Sequence, residues 1–293
     1  MKIISFTSQK GGVGKSTDAT NIAVGFGKKG KKVLVIDGDP QANTTDNLAP
    51  KENGFTDAEI ELIKQEFDET ADPVSTLNHF FNLEKKEHPY SLSNILMDPV
   101  LAPEAVVPTR YENVDLIPAT LDLVNTDKLL KMETLGISNR LRKALKAVEK
   151  SGKSYDYVII DYAPTSNTIT LNSYIITGDD GRMIIPVKID KAGIKGLLAT
   201  LNDMKDVQEK SELDLSYDYL IHFTMVNRNK NDQKIIDLIH YLFKDHVLQQ
   251  QIRYQAKPVS TASLENKALI DTDSPVADDY LALIDEIEAV LEQ

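Results

Sequence analysis

Residues 3–17 read Ile3-Ile4-Ser5-Phe6-Thr7-Ser8-Gln9-Lys10-Gly11-Gly12-Val13-Gly14-Lys15-Ser16-Thr17. An apolar strand here runs directly into a glycine-rich turn and then into a segment of helical period. A turn between a strand and a helix leaves successive backbone N–H groups pointing into one concavity, and the helix dipole favours an anion there. The pattern therefore predicts a phosphate-binding loop.

The loop supplies the groups that a nucleoside triphosphate requires. Its glycines let the backbone approach the phosphates closely, Lys15 would reach the β- and γ-phosphates, and the Ser16 hydroxyl would bind Mg²⁺. A nucleoside triphosphate and Mg²⁺ are therefore the expected ligands. The predicted nucleotide-binding residues of the loop are Gly11, Gly12, Val13, Gly14, Lys15, Ser16 and Thr17, and Lys10 precedes them in the same loop.

Two predicted strands end in carboxylates. Asp37 and Asp39 follow the apolar run 32–36, and Asp161 follows the run 155–160. Open α/β sheets bind ligands at the carboxyl ends of their strands, and a magnesium triphosphate needs a carboxylate for the hydrated ion and a group that positions the attacking water. These strand ends can supply both, while a helix cap or turn former is the alternative for each carboxylate. For Asp37, support of the loop and a place in the metal shell both stay open.

The whole chain alternates apolar, β-branched runs with longer segments of helical period. We expect an α/β fold with a mostly parallel central sheet flanked by helices, of the P-loop NTPase type. The predicted strands lie near 2–8, 32–36, 114–118, 157–161, 182–187 and 219–226, and the predicted helices lie at 16–29, 139–150, 193–210 and 232–243. We expect one domain over 1–293 with an acidic insertion at 51–90. For that insertion a solvated helix pair, a lid, a dimer contact and a partner surface stay open.

Composition restricts the class of protein. The 293 residues include no cysteine, which excludes disulfides, zinc sites with thiolate ligands and thiolate-ligated clusters. No apolar run approaches the roughly 18 residues of a membrane span, and no charged-then-apolar leader precedes the first strand. We therefore expect a cytoplasmic protein.

The loop also departs from the strict GxxxxGK[ST] pattern. Gln9 stands at the first glycine position, and Lys10 lies five residues before Lys15. This variant resembles the deviant Walker motif of the ParA/MinD class of P-loop ATPases. In that class the extra lysine reaches the partner's nucleotide, so the resemblance implies a homodimer that encloses two ATP molecules, with Lys10 acting in trans.

The resemblance also implies roles for the carboxylates. Asp161 matches the Walker B aspartate, which acts on Mg²⁺ largely through water, and Asp39 matches the second aspartate of the D-x-D-P-Q pattern, which orients or activates the hydrolytic water. The implied catalytic residues are Lys10, Lys15 and Asp39, and the implied metal-site residues are Ser16, Asp39 and Asp161.

The middle of the chain resembles more specifically the ParA/Soj-type partition ATPases of chromosomes and plasmids. Segment 91–124 carries this similarity best, and similarity is weak only at about 50–90. Asn227 and Arg228 match the family's adenine contact, with a turn former as the alternative. The resemblance implies nonspecific binding of double-stranded DNA, a ParB-type centromere-binding partner that stimulates hydrolysis, and association with the nucleoid. Since the chain begins at its first strand, we expect no N-terminal helix-turn-helix domain and no operator recognition.

Net charge must be reconciled with DNA binding, because the formal net charge is −12. Segment 51–90 carries a net −6 and residues 271–293 a net −8, so the remainder carries +2. Such a body can present a local basic patch, above all when two protomers complete it. The candidate DNA contacts are Lys188, Lys191, Lys195, Arg253, Lys257 and Lys267, each of which has a solvated surface residue as its alternative.

Three rival functions stay open. A MinD-like membrane-cycling ATPase needs a basic amphipathic C-terminal helix, whereas segment 280–291 has apolar helical spacing and an acidic polar face, so we expect it to pack on the body and expect no membrane binding. A biosynthetic ligase of the dethiobiotin synthetase type would not explain Lys10 or segment 91–124. The third rival, from a different class, is a nucleotide-dependent positioning or binding protein whose hydrolysis is incidental. The first rival extends to other cargo-positioning ATPases without DNA binding.

Overall fold

The computed structural model describes residues 1–49, 57–84, 90–132, 139–165, 167–210, 215–227, 229–264 and 267–292. Among them an eight-stranded sheet has the order β3-β4-β2-β5-β1-β6-β7-β8. Its strands are β1 (Lys2–Phe6), β2 (Val33–Gly38), β3 (Val107–Pro108), β4 (Val114–Ile117), β5 (Tyr157–Tyr162), β6 (Gly181–Lys188), β7 (Asp218–Val226) and β8 (Val247–Arg253). Neighbouring strands pair in parallel except for β3 and β4, which are antiparallel.

Helices flank this sheet. They are α1 (Lys15–Lys28), α2 (Asn43–Leu48), α3 (Asp57–Thr70), α4 (Pro73–Glu84), α5 (Leu92–Met97), α6 (Ala102–Ala105), α7 (Leu123–Met132), α8 (Arg140–Lys150), α9 (Thr168–Asp180), α10 (Lys191–Lys210), α11 (Lys230–Phe243), α12 (Ala256–Leu264) and α13 (Pro275–Leu291). The predicted α/β fold with a mostly parallel sheet is confirmed.

Both faces of the sheet are apolar, which is why its strands read as continuous hydrophobic runs. Ile4 and Phe6 of β1 share a buried cluster with residues of α1 and α13, whereas Ile3 belongs to a cluster with residues of α5, α7, α8 and α9. A third cluster joins β6 and β7 to α10 and α11. Strand β1 is thus held between two helical layers, with its carboxyl end open to the loop that follows.

Register brings the acidic strand ends to that same edge. Strand β5 lies between β1 and β2, and Asp161 is the register partner of Phe6 on one side and of Asp37 on the other. A side chain at position 38 would meet the backbone oxygen of Asp161 at 2.8 Å, so Gly38 permits the close approach of β2 and β5. The ends of three adjacent strands therefore converge on one site.

All six predicted strands and all four predicted helices are present. Strands β3 and β8 were not predicted: β3 has two residues, and β8 carries the run Gln249-Gln250-Gln251, which interrupts its apolar pattern. Strand β8 still forms because Leu248 and Ile252 are buried in the cluster shared with α1 and α13.

The region 51–90 contributes two helices, α3 and α4, while residues 51–56 and 85–89 lie outside the described part of the chain. No residue of α3 is buried. The two helices contact each other, for example through the hydroxyls of Thr70 and Thr76, which are 2.9 Å apart. Both the domain division and the status of 51–90 as an insertion stay predictions.

The acidic C-terminal segment forms α13 and packs on the body, as expected from its apolar spacing. Tyr280, Leu283, Ile284 and Ile287 are buried against the cluster that contains α1. Within the described residues, we find no helix with the combination of length and apolar character that crossing a bilayer demands.

Candidate active site

The loop between β1 and α1 adopts the backbone that its glycines permit. Gly12 has φ +71° and Gly14 has φ +98°, a region that residues with side chains rarely adopt. Gly14 precedes α1, and its carbonyl accepts the backbone N–H of Asp18 at 2.8 Å. The Thr224 hydroxyl of β7 donates to the Val13 carbonyl at 2.8 Å, which fixes the loop to the sheet. The N-terminus of α1 is thereby aimed at the space above the loop.

That space is a cavity of about 910 Å³, large enough for a nucleotide. The predicted residues that line it are Gly11, Gly12, Gly14, Lys15, Ser16, Thr17 and Asp39. The side chain of Val13 is buried and does not line the cavity. The structure thus brings the phosphate loop and the β2 strand end to one concave site.

Lys15 is held in an unusual environment for an ammonium group. Its residue is only 7% exposed, although it lines the cavity. Burial lowers the pKa of Lys15, and the carboxylates of Asp161, Asp39 and Asp18 oppose that shift. A buried cation attracts an anion more strongly than a solvated one does, so Lys15 is suited to hold a phosphate.

Asp161 lies fully buried at the end of β5. The Thr44 hydroxyl donates to its Oδ2 at 2.7 Å. Its Oδ1 has no hydrogen-bond partner among the residues that the structure describes. Burial raises the pKa of Asp161, while the hydroxyls of Ser16 and Thr44 and the Lys15 ammonium lower it. A buried carboxylate oxygen without a donor is an acceptor site that a cation or its bound water can occupy.

The donor set fits Mg²⁺. Ser16 and Asp39 line the cavity. Asp161 is not among the lining residues, but it lies close enough to both for the Ser16 hydroxyl to lower its pKa and for the Asp39 carboxylate to raise it. In the described part of the chain no group of three or more acidic, histidine or cysteine side chains is arranged to hold a metal. Mg²⁺ does not require one, because it commonly keeps several waters and takes one or two carboxylates together with substrate phosphates.

Asp37 holds the segment that joins β2 to α2, which favours loop support, while its place in the metal shell stays a prediction. Its Oδ1 accepts the backbone N–H of Asp39 at 3.0 Å, and its Oδ2 accepts the N–H and hydroxyl of Thr45 at 2.7 and 2.8 Å. Burial raises the pKa of Asp37, and the neighbouring Asp161 raises it further. Both oxygens of this carboxyl group are occupied by protein donors, which supports a structural role for Asp37.

Asp39 is half-buried on the cavity wall. The Gln41 N–H donates to its Oδ1 at 2.9 Å, and the Ala42 N–H donates to its carbonyl at 2.9 Å. These turn contacts fix the backbone of Asp39 while the residue lines the cavity. A carboxylate on the cavity wall can orient a water molecule. Lys10 is half-buried and is not among the residues lining the cavity.

The predicted adenine contact of Asn227 and Arg228 stays a prediction. Asn227 is exposed, its N–H donates to Asp232 at 3.0 Å, and it does not line the cavity. Arg228 lies outside the described residues. Met225, with φ +53°, lines the cavity instead. Further apolar lining comes from Val259, Ala262, Ala268 and Leu269.

Sequence reasoning missed other parts of the site. Helix α7 supplies Asp127, Lys128 and Lys131 to the cavity wall, and Thr44 contacts Asp161 from α2. The DxDPQ run pointed only to the start of the β2–α2 segment. The contribution of α7 had no local signal, because it depends on where that helix packs.

The six candidate DNA contacts fall into different settings. Lys191 and Lys195 are exposed at the start of α10, and the nearby Lys188 lies 3.6 Å from Asp190. Lys257 is also exposed. The remaining two are Arg253, whose guanidinium donates to both carboxylate oxygens of Asp279 at 2.7 and 2.6 Å, and Lys267, which lines the nucleotide-sized cavity.

Comparison with known proteins agrees with this geometry. A model of the AAA domain family matches residues 1–217. The sporulation initiation inhibitor protein Soj of Bacillus subtilis (strain 168) is 30% identical over 290 residues, covering 98% of each chain. The chromosome partitioning protein ParA of Caulobacter vibrioides (strain NA1000 / CB15N) is 25% identical over 288 residues, covering 98% of this chain and 94% of its own.

Solved structures share the fold. A protein of Borrelia burgdorferi B31 assigned to plasmid partition, with AMPPNP bound, has a TM-score of 0.68 at 22% identity, covering 99% of this chain and 98% of its own. Cobyrinic acid a,c-diamide synthase of Mycobacterium smegmatis, with an ATP analogue and magnesium, has a TM-score of 0.70 at 22% identity, covering 100% and 96%. The matched family model and the near full-length similarity to Soj place the chain in the AAA domain family of P-loop ATPases, within its ParA/Soj group.

Proposed function

We propose that this protein is a DNA-segregation ATPase, in which a homodimer formed with Mg²⁺ and ATP binds DNA nonspecifically and releases it after hydrolysis. The observation that carries the proposal is that the two lysines of the phosphate loop lie in different places. Lys15 lines the nucleotide-sized cavity, whereas Lys10 lies outside the cavity's lining. This arrangement supports a role for Lys10 toward the nucleotide of a second copy.

The site residues have separate tasks in this proposal. Lys15 and the backbone N–H groups of the loop bind the triphosphate, and Asp39 orients the attacking water. Ser16 and Asp161 would hold Mg²⁺, which when bound neutralises charge on the β- and γ-phosphate oxygens. The raised pKa of the buried Asp161 carboxyl supports a site that prefers compensation by a cation. Hydrolysis to ADP and phosphate is slow in this proposal until a partner stimulates it.

DNA binding would be completed only in the dimer. A net charge of −12 argues against strong binding by one copy, while the exposed Lys191 and Lys195 give each protomer a small cationic surface. Lys188 and Lys257 are further members of this proposed surface. Two weak surfaces joined in one dimer bind cooperatively, because the second contact becomes intramolecular. The protein would then act in the cytoplasm on the nucleoid, with a ParB-type centromere-binding protein as its stimulating partner.

Relatives support this choice of function. The Caulobacter relative is a chromosome partitioning protein, and the Borrelia neighbour is assigned to plasmid partition. The fold is shared with an amide-forming synthase as well, so the fold alone does not select among these activities. The loop lysine Lys10 and the similarity to Soj over almost the whole chain favour the partition function.

The deciding experiment measures binding to arbitrary duplex DNA at modest, stated salt with no nucleotide, with ADP and with ATP, alongside molecular mass by light scattering. We expect DNA binding only with ATP and only by a dimer. A dimer with ATP that ignores DNA would instead indicate a cargo-positioning ATPase without DNA binding. A monomer that responds to ATP in neither assay would refute the proposal and favour a biosynthetic ligase.

A further inference from the structure

The part of the phosphate loop that carries Lys10 packs against α10. A Cβ placed on Gly196 of α10 would lie 2.6 Å from the Cβ of Lys10 and 3.4 Å from its backbone nitrogen. Real Cβ atoms essentially never show contacts under 3.0 Å. Both atoms are fixed by their backbones, so no rotamer change would relieve the clash. Lys10 therefore keeps this position only because residue 196 has no side chain.

Hydrogen bonds hold the preceding residue on the same helix. The backbone N–H of Gln9 donates to the Thr200 hydroxyl at 3.0 Å, and that hydroxyl donates to the Gly196 carbonyl at 2.8 Å. Thr200 is fully buried. The Gln9 side-chain amide also donates to the carboxylate of Asp203. Two adjacent loop residues are thus held by three residues of α10.

These three residues lie on one face of α10. Gly196, Thr200 and Asp203 are spaced by four and then three positions, which brings them one above another on a helix. An adjacent face of α10 is apolar, since Leu197 and Met204 are buried in the cluster shared with β6 and β7. The helix is therefore a firm support, and the Gln9–Lys10 segment takes its position from that support.

We propose that the Gly196–Thr200–Asp203 face of α10 positions Lys10, and so sets the geometry of ATP-dependent dimerisation and turnover. These are positioning residues, because they act through Lys10. The functional part of this inference rests on the proposed role of Lys10 in the dimer. The positional part does not, and it can be measured separately.

Hydrogen exchange tests the positional part. Thr200→Val removes the acceptor of the Gln9 N–H with little change in shape, and Thr200→Ser retains it. We expect at least tenfold faster amide exchange in a peptide that spans residues 7–12 for Thr200→Val, and near wild-type exchange for Thr200→Ser. Equal exchange in both variants and wild type would overturn the inference, whatever the activity of Lys10 proves to be.

Kinetics test the functional part. Gly196→Ala should weaken ATP-dependent dimerisation and lower kcat by at least tenfold, while ATP affinity stays within about twofold, because the Lys15 side of the loop is untouched. Leu198→Ala is the matched control, since Leu198 is 59% exposed on the same helix. An equal loss of ATP affinity and kcat would show a general distortion of the loop and contradict positioning.

A double-mutant cycle distinguishes a failure of the α10 positioning inference from a failure of the proposed role of Lys10. The Lys10→Ala variant keeps the Cβ that would clash, yet it lacks the ammonium group. If α10 acts through that group, Gly196→Ala should have no further effect on kcat in the Lys10→Ala background. Additive effects would overturn the inference while leaving the proposed function standing. Wild-type dimerisation and turnover in Lys10→Ala alone would instead refute the Lys10 role in the proposed function, with the exchange result still deciding the position.

Discussion

Asp37 and Asp161 are register partners on the neighbouring parallel strands β2 and β5, and both are fully buried. Their environments nevertheless differ. Asp37 accepts three hydrogen bonds through its two oxygens, whereas Asp161 keeps Oδ1 without a partner among the described residues. The Asp37 carboxyl group therefore supports the β2–α2 segment, whereas the Asp161 carboxyl group keeps an oxygen available to a cation.

The first prediction concerns pH. Burial raises the pKa of both carboxyl groups, and their proximity adds to the shift of Asp37. In the pH range above the ordinary carboxyl pKa near 4, the folded protein then binds more protons than the unfolded chain. The free energy of unfolding of the nucleotide-free and metal-free protein should therefore fall as pH rises from about 4 toward neutrality.

Thermal unfolding between pH 5 and pH 8 measures this dependence. We expect Asp161→Asn to flatten it, because the substitution removes one of the two titrating groups. Mg²⁺ and a nonhydrolysable ATP analogue should flatten it in the wild type, since a bound cation favours the ionised form. The same slope in wild type and Asp161→Asn would contradict the assignment of the shift to this pair.

A second prediction separates ATP binding from hydrolysis. Lys15→Ala should weaken ATP binding strongly, because it removes the buried ammonium group beside the phosphates. Asp39→Ala should leave ATP bound and the dimer intact while lowering phosphate release by roughly 10²- to 10⁴-fold, the range for a lost general acid–base group. Equilibrium binding of a fluorescent ATP analogue and phosphate release measure the two effects. Equal losses of ATP affinity in both variants would contradict the assigned roles.

Much of the candidate site could be predicted from local sequence. The phosphate loop and the strand ends Asp39 and Asp161 were predictable because each motif is contiguous, and parallel strands place their ends at one edge. The contact from Thr44 and the wall supplied by α7 were not predictable, since they join residues far apart in the chain. Strand β8 was missed because its glutamines hide a pattern that is completed only by packing on α13.

A third prediction tests the proposed DNA surface. The double substitution Lys191→Ala and Lys195→Ala should weaken ATP-dependent DNA binding and make its salt dependence shallower, by roughly one unit of slope for each lost phosphate contact. Lys205→Ala is a matched control on α10, because Lys205 is highly exposed and lies 3.6 Å from Glu209. Titrations at several salt concentrations measure the slope. An unchanged slope in the double variant would place DNA binding elsewhere.

The last prediction separates structure from DNA binding at Arg253. Its guanidinium makes a two-pronged contact with Asp279, which is mostly buried, and this pair joins the end of β8 to α13. Arg253→Ala would leave that carboxylate without its main cation, so we expect the free energy of unfolding to fall by about 1–3 kcal/mol. Urea unfolding measures the loss, and the Arg253→Ala/Asp279→Ala pair should be destabilised by less than the sum of the single variants. If Arg253→Ala instead weakens DNA binding with its unfolding midpoint unchanged, the residue belongs to the DNA surface and the pair with Asp279 contributes little to stability.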